Sequence, residues 1–186
     1  MTDIMIHPKT DEGCGLGALR AQIARSEQAF NVVFPPVYRD FLISYGGGFP
    51  WPSDIEVGDP RSEDIVTVFE FHHPAIIETL MRGDTYANAT PQGYIFVADA
   101  NGVQIVMSGS RADLGRLLLW RPSGLPWVQP ADPDLGERGN TPDDMIAIAQ
   151  SFTSLLFMMQ ELPGSEVARQ NWENTKNRTL ARRVNL

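Results

Sequence analysis

Two amphipathic helices are predicted in the first third of the chain. Between residues 17 and 31, apolar residues recur at the three- and four-residue spacing of a helix, and arginines and glutamines face the other way. A second helix begins at Pro35 and Pro36, because proline is tolerated in the first turn, and three glycines at 46–48 end it. The apolar positions of the two helices are Leu16, Leu19, Ile23, Phe30, Val37, Phe41, Leu42 and Tyr45.

The middle of the chain is typical of strands with one short helix between them. Its apolar runs are rich in β-branched and aromatic residues, and Asn101 with Gly102 supplies the positive φ angles of a tight hairpin turn. Pro74 opens the short helix and Gly83 ends it. Residues 49–64 are rich in Pro, Ser, Asp and Glu, which predicts an irregular surface loop. The predicted strands are 65–71, 94–98, 103–107 and 115–120.

A long helix is predicted over residues 141–162. Thr141 provides a capping hydroxyl, Pro142 suits the first helical position, and Asp144 places a carboxylate in the first turn. The apolar part of this segment is too short and too interrupted by polar residues for the about 20 residues that a membrane span needs. From Ser165 onward the chain is polar and basic, and residues 1–12 carry no buried-strand pattern.

The composition narrows the class of protein. The chain has 186 residues, the size of one domain, with 42% hydrophobic residues, a net charge of -8 and a pI near 4.8. An acidic surface repels nucleic acid and anionic membranes, so we expect neither to be bound directly, and basic partners are favoured. Cys14 is the single cysteine and no signal-peptide pattern opens the sequence, which predicts a soluble cytoplasmic protein.

No catalytic, metal-binding or cofactor-binding motif stands out. A G-x-G-x-x-A pattern begins at Gly13, but it lacks the preceding strand and the acidic residue that a dinucleotide site requires. His72 and His73 are adjacent, so their side chains point to opposite faces and are poorly placed to share a metal ion. We therefore expect no metal and no cofactor. Glu70 and Asp99 could supply an acid and base pair, so a carboxylate-based hydrolase stays as an alternative to solvated surface carboxylates.

Acidic residues are concentrated in two segments, one between Pro52 and Asp99 and one between residues 132 and 144. Such segregation can present a negative face that steers a basic partner, and a merely solvated acidic loop explains the same pattern. Trp51 beside the first segment suits either an interface anchor or a lid over the core. The candidate partner-binding residues are Trp51, Asp54, Glu56, Asp59, Glu63, Asp64, Asp132, Asp134 and Glu137.

The segment 34–47 carries the most specific signal in the sequence. It reads Phe-Pro-Pro-Val-Tyr-Arg-Asp-Phe-Leu-Ile-Ser-Tyr-Gly-Gly and resembles the opening signature of the SUKH superfamily. The similarity continues through the strand near 66–69, the hairpin at 94–107, the strand ending at Trp120 and the closing residues Phe152, Leu155 and Leu156. The resemblance covers residues 16–162. It leaves 1–15 as an N-terminal lead-in and 163–186 as a polar, basic C-terminal tail.

The resemblance implies both a fold and a function. The implied fold is α+β, a single domain with a central, mostly antiparallel sheet flanked by helices. The implied function is that of a bacterial immunity protein, which neutralises a polymorphic toxin by occlusion and needs no catalytic residue. Its partner is a cognate basic toxin domain of nuclease or deaminase type. Fungal relatives imply an alternative, a regulator or scaffold in cell-wall synthesis or signalling, and homodimerisation stays open.

Overall fold

The computed structural model describes residues 4–8, 16–57, 65–83, 92–100, 103–121, 145–175 and 181–184. These residues form nine strands and five helices. In chain order the elements are β1 (Met5–Pro8), α1 (Leu16–Phe30), α2 (Pro36–Tyr45), β2 (Gly48–Trp51), β3 (Asp54–Glu56), β4 (Ile65–Phe71), α3 (Pro74–Met81), β5 (Tyr94–Ala100), β6 (Val103–Ser108), β7 (Leu117–Trp120), β8 (Met145–Ala149), α4 (Phe152–Met158), α5 (Glu166–Thr175) and β9 (Arg182–Arg183).

The nine strands form one antiparallel sheet. The strand order is β8-β7-β6-β5-β4-β2-β1-β9, and β3 pairs with β4. Strands β5 and β6 form the predicted hairpin, in which Ala100 is the partner of Val103, and the predicted turn residues Asn101 and Gly102 lie outside the described residues. The architecture is α+β in a single domain, which confirms the fold class that the resemblance implied.

Helices α2 and α4 cover one face of this sheet. Phe41 of α2, Phe152 of α4 and Phe71 of β4 form an aromatic cluster, with ring centroids 4.8 to 5.5 Å apart. The Tyr38 ring joins them, 4.9 Å from that of Phe152, and is fully buried. Burial raises the pKa of Tyr38 far above its usual range, because a phenolate there would lose its hydration. The cluster marks the part of the core beneath these two helices, and at β6 and β7 the other face of the sheet is buried as well.

The predicted helices of the first half and the central strands are confirmed. The bounds of α1 to α3 and of β4 to β7 agree with the predicted ranges within two residues at each end. Val37 is an exception within the predicted apolar face, because it is 41% exposed. The buried stripe of α2 instead runs through Tyr38, Phe41, Leu42 and Tyr45.

The prediction of one long helix over residues 141–162 is wrong. Met145–Ala149 forms strand β8, which pairs with β7, and its two isoleucines alternate with alanines in the two-residue period of a strand. Helix α4 begins only after Ser151, whose hydroxyl accepts a hydrogen bond from the backbone N–H of Ser154 at 3.1 Å. The predicted helix start at residues 141–144 lies outside the described residues.

Four short strands lie where the sequence predicts none. Strands β2 and β3 occupy the segment predicted to be an irregular loop, so that prediction is wrong for both stretches. Strand β1 pairs with β2 on one side and with β9 on the other, which buries His7. These strands are set by partners distant in the chain, and local strand propensity reflects such pairing poorly.

Candidate protein-binding surface

Three of the nine candidate partner-binding residues belong to the described part of the chain. They are Trp51 on β2 and Asp54 and Glu56 on β3. These three have different surroundings, so the structure does not make them one shared surface. The other six candidates lie outside the described residues: Asp59, Glu63, Asp64, Asp132, Asp134 and Glu137.

Asp54 is an internal anchor. The residue is 2% exposed, and its carboxylate accepts hydrogen bonds from Thr67 Oγ1 at 2.7 Å and from Ser165 Oγ. Its backbone N–H and carbonyl pair with Gln160, with N···O distances of 3.1 and 2.8 Å. These bonds hold the C-terminal segment against β3. The prediction that Asp54 contacts a partner is therefore wrong, because its carboxylate is already satisfied within the chain.

Trp51 packs beneath helix α5. Its ring lies 6.1 Å from the Trp172 ring, and the Arg169 guanidinium lies 5.7 Å from its centroid. The Trp172 ring also contacts the His7 ring at 4.5 Å, and Arg169 pairs with Glu161 at 3.1 Å. Helix α5 thus covers this side of β1 and β2. The contacts favour Trp51 as a residue that completes the packing of the chain.

Glu56 is exposed at the end of β3. It is the direct partner of Ile65 on β4, and Ile65 is exposed as well. The next residue, Val57, is buried, so at this point only the side of the chain that carries Glu56 is exposed to solvent. Of the three described candidates, Glu56 is the one whose carboxylate is available at the surface.

A row of polar side chains crosses the sheet on the face opposite the aromatic cluster. Glu70 on β4, Asp99 on β5 and Gln104 on β6 are successive cross-strand partners, and Trp120 on β7 continues the row. Such partners share one face with their Cβ atoms about 5 Å apart. Phe71, the residue after Glu70, points the other way into the cluster. Gln104 carries no motif that would mark it in the sequence.

Gln104 links Asp99 to His72. Its amide nitrogen donates to Asp99 Oδ1 at 3.3 Å, and its amide oxygen accepts from His72 Nε2 at 2.9 Å. This geometry places an imidazole proton on Nε2. Gln104 and His72 are both buried, whereas Asp99 is half-buried. The buried pair therefore orients a carboxylate that lies closer to the surface.

Two further features bear on the class of protein. Within the described segments, no group of three or more His, Cys, Asp or Glu residues is arranged to hold a metal ion. None of the described helices combines the length and the hydrophobicity needed to cross a membrane. Glu70 and Asp99 do lie side by side, as the hydrolase alternative requires, with Asp99 bonded to Gln104.

The fold and its surface define a class of protein, a single α+β domain whose antiparallel sheet is backed by helices and shows carboxylates and apolar side chains to solvent. Residues 17–158 match the model of the SMI1 / KNR4 family (SUKH-1), and the chain belongs to this family. The resemblance carried by residues 34–47 is thereby confirmed. Strands β1 and β9 and helix α5 lie outside the matched residues. No curated protein matches the chain.

Proposed function

We propose that the chain is an immunity protein that binds a cognate bacterial polymorphic toxin, of nuclease or deaminase type, and neutralises it by occlusion in the cytoplasm. Membership of the SMI1 / KNR4 family supports the proposal, because proteins of this family are generally non-enzymatic immunity or regulatory proteins. Occlusion needs a surface complementary to the toxin and no catalytic group.

The observation that carries the proposal is the exposed Glu56 at the start of an acidic segment, in a chain whose net charge is -8. A toxin that acts on nucleic acid has to present a basic cleft to phosphates. An acidic surface speeds the encounter with such a cleft and then covers it. The proposed contacts are Glu56, Asp59, Glu63 and Asp64 in the first segment and Asp132, Asp134 and Glu137 in the second.

Recovery of the partner is the first test. The full chain serves as bait in extracts of its native cell at low and at high salt, and the bound proteins are identified by mass. We expect a basic toxin domain that is bound at low salt and released at high salt, because salt screens exposed charges. Recovery of only a cell-envelope or signalling enzyme would contradict the immunity proposal and favour a regulator.

Neutralising the first acidic segment is the second test. The variant in which Glu56, Asp59, Glu63 and Asp64 become Gln or Asn should associate with the purified toxin roughly ten-fold more slowly at low salt, with a flatter salt dependence. Asp40→Asn is the control, since Asp40 is an exposed carboxylate on α2, which packs on the face of the sheet that carries the aromatic cluster. If the fourfold variant associated at the wild-type rate, the proposed acidic contacts would be wrong.

A further inference from the structure

We infer that the surface of β1 and β2 beneath α5 is a helix-docking site, which α5 occupies within the chain and which a helix of a partner protein can take over. The fitting helix carries an arginine and an aromatic residue three positions apart. The inference goes beyond the proposed function, because this site is built from aromatic side chains and is distinct from the proposed acidic contacts.

Helix α5 itself shows which chemistry the site binds. Arg169 and Trp172 are three residues apart, so their side chains lie on one face of the helix. The Arg169 guanidinium lies 5.7 Å from the centroid of the Trp51 ring. The Trp172 ring lies 6.1 Å from the Trp51 ring and 4.5 Å from the His7 ring. The site therefore offers an aromatic surface that attracts a cation and packs against a further ring.

The pairing of β1 with β2 places the two receiving rings on one face of the sheet. Met5 is the partner of Trp51, and His7 is the partner of Phe49. Residues two apart on a strand project alike, so His7 and Trp51 are diagonal neighbours across the strand pair. Ile6, between them in register, points the other way and is fully buried. The strands thus hold both rings in place for a docking helix.

The attachment of α5 is weak. The ion pair of Arg169 with Glu161 joins side chains that are 55% and 43% exposed, and such exposed pairs contribute little. The Trp172 indole N–H is cut off from solvent and has no acceptor among the described residues, which costs free energy. A helix of ten residues is also marginal by itself. A competing helix therefore has little binding energy to overcome.

Helix α5 is a cover that is tethered at both ends. Before it, the Ser165 hydroxyl donates to the buried Asp54 carboxylate. After it, the Val184 N–H donates to the Ile4 carbonyl at 2.8 Å. The residues that match the family model end before α5 begins, and the aromatic cluster lies beneath α2 and α4. Local opening of α5 therefore uncovers Trp51 without dismantling the core.

The test follows, by fluorescence anisotropy, the binding of a labelled peptide with the sequence of residues 164–176 to the full-length chain. Trp172→Ala should bind this peptide at least ten-fold more tightly than the wild type, because a tethered helix competes at a high effective concentration. Adding Trp51→Ala to that variant should weaken binding at least ten-fold, because it removes the aromatic anchor.

Two matched controls accompany these measurements. Adding Phe157→Ala to the Trp172→Ala chain should leave the peptide affinity unchanged, since Phe157 is an exposed aromatic residue on α4. A peptide in which the tryptophan and the preceding asparagine exchange places should not bind. Its arginine and tryptophan are then two positions apart and face different sides of the helix.

Equal peptide affinity of the wild type and Trp172→Ala, or equal binding of the two peptides, would overturn the docking site. A wild-type dimer in sedimentation that Trp172→Ala abolishes would make a second copy the occupant and overturn the partner helix. If Trp172→Ala does not fold, Arg169→Ala should still bind the peptide about three-fold more tightly than the wild type, because it loses the cation–π contact. Absence of any toxin in the recovery experiment would refute the proposed function and leave these outcomes unchanged.

Discussion

Replacing Asp54 by alanine removes the acceptor that Thr67 and Ser165 share, and we expect the main consequence to be a loss of fold stability. A hydrogen bond to a charged group contributes about 1.5 to 3 kcal/mol. Thr67 is half-buried, so water partly replaces its bond, and the buried Ser165 hydroxyl keeps the Leu162 carbonyl as a second acceptor at 2.6 Å. The free energy of unfolding should therefore fall by about 2 to 3 kcal/mol. Asp54→Asn, which keeps one oxygen acceptor, should cost about half as much.

Urea unfolding followed by circular dichroism measures this loss. Glu56→Ala is the control, since Glu56 lies two residues away on the same strand but is exposed, and its substitution should change stability by less than about 0.5 kcal/mol. Amide hydrogen exchange adds a local measurement. The Gln160 N–H, which donates to the Asp54 carbonyl at 2.8 Å, should exchange faster in Asp54→Ala because the C-terminal segment is released.

A surface role for Asp54 has the opposite signature. If Asp54→Ala unfolded at the wild-type urea concentration and kept a protected Gln160 amide, the assignment of Asp54 as an internal anchor would be refuted. Slower association with the toxin in that stable variant would then restore Asp54 as a partner contact.

Two further predictions concern the core and the sheet. Burial raises the pKa of Tyr38 in the folded state, so on raising the pH the unfolded chain ionises first, and the free energy of unfolding should be constant below pH 10 and fall by about 1.4 kcal/mol per pH unit above it. Urea midpoints measured between pH 8 and 11 should decline less in Tyr38→Phe than in the wild type. Equal slopes in the two proteins would contradict the assignment. Gly48 has φ +133° and a Cβ there would overlap the His7 carbonyl, so Gly48→Ala should cost about 3 kcal/mol. Gly93→Ala, at φ +79° with open space around it, should cost only about 1 kcal/mol in the same assay, and equal losses would disprove the overlap.

Elements with a local signature could be predicted from the sequence. Helix α2 has prolines at its start and glycines at its end, α3 begins at Pro74, and β5 and β6 flank an Asn-Gly pair. These signals act over a few residues and hold in any tertiary context. Strands β1, β3 and β9 have two to four residues each, and pairing with distant strands determines them. A short strand of this kind leaves no periodicity to detect.

The sequence predicts the charge of the candidate site, but it does not predict where the individual side chains lie. Acidic composition marked Glu56, Glu70 and Asp99 as surface carboxylates, but the burial of Asp54 depends on Ser165, 111 residues further along the chain. The orientation of Glu70 could not be recognised either. Strict alternation along β4 would place Glu70 on the side of the buried valines, and only the bulge turns it to the side of Ile65 and Phe69.

The pairing of β1 with β9 has a consequence for biosynthesis. Met5 is the partner of Arg183, which lies about 180 residues further along the chain. The ribosome therefore has to synthesise almost the whole intervening sequence before β9 can pair with β1. At about 5 to 20 residues per second, β9 emerges roughly 9 to 35 s after β1. Throughout that interval the nascent chain lacks the strand that completes β1, and a bare strand edge invites pairing with other chains. We therefore expect that shielding β1 during translation raises the yield of folded protein.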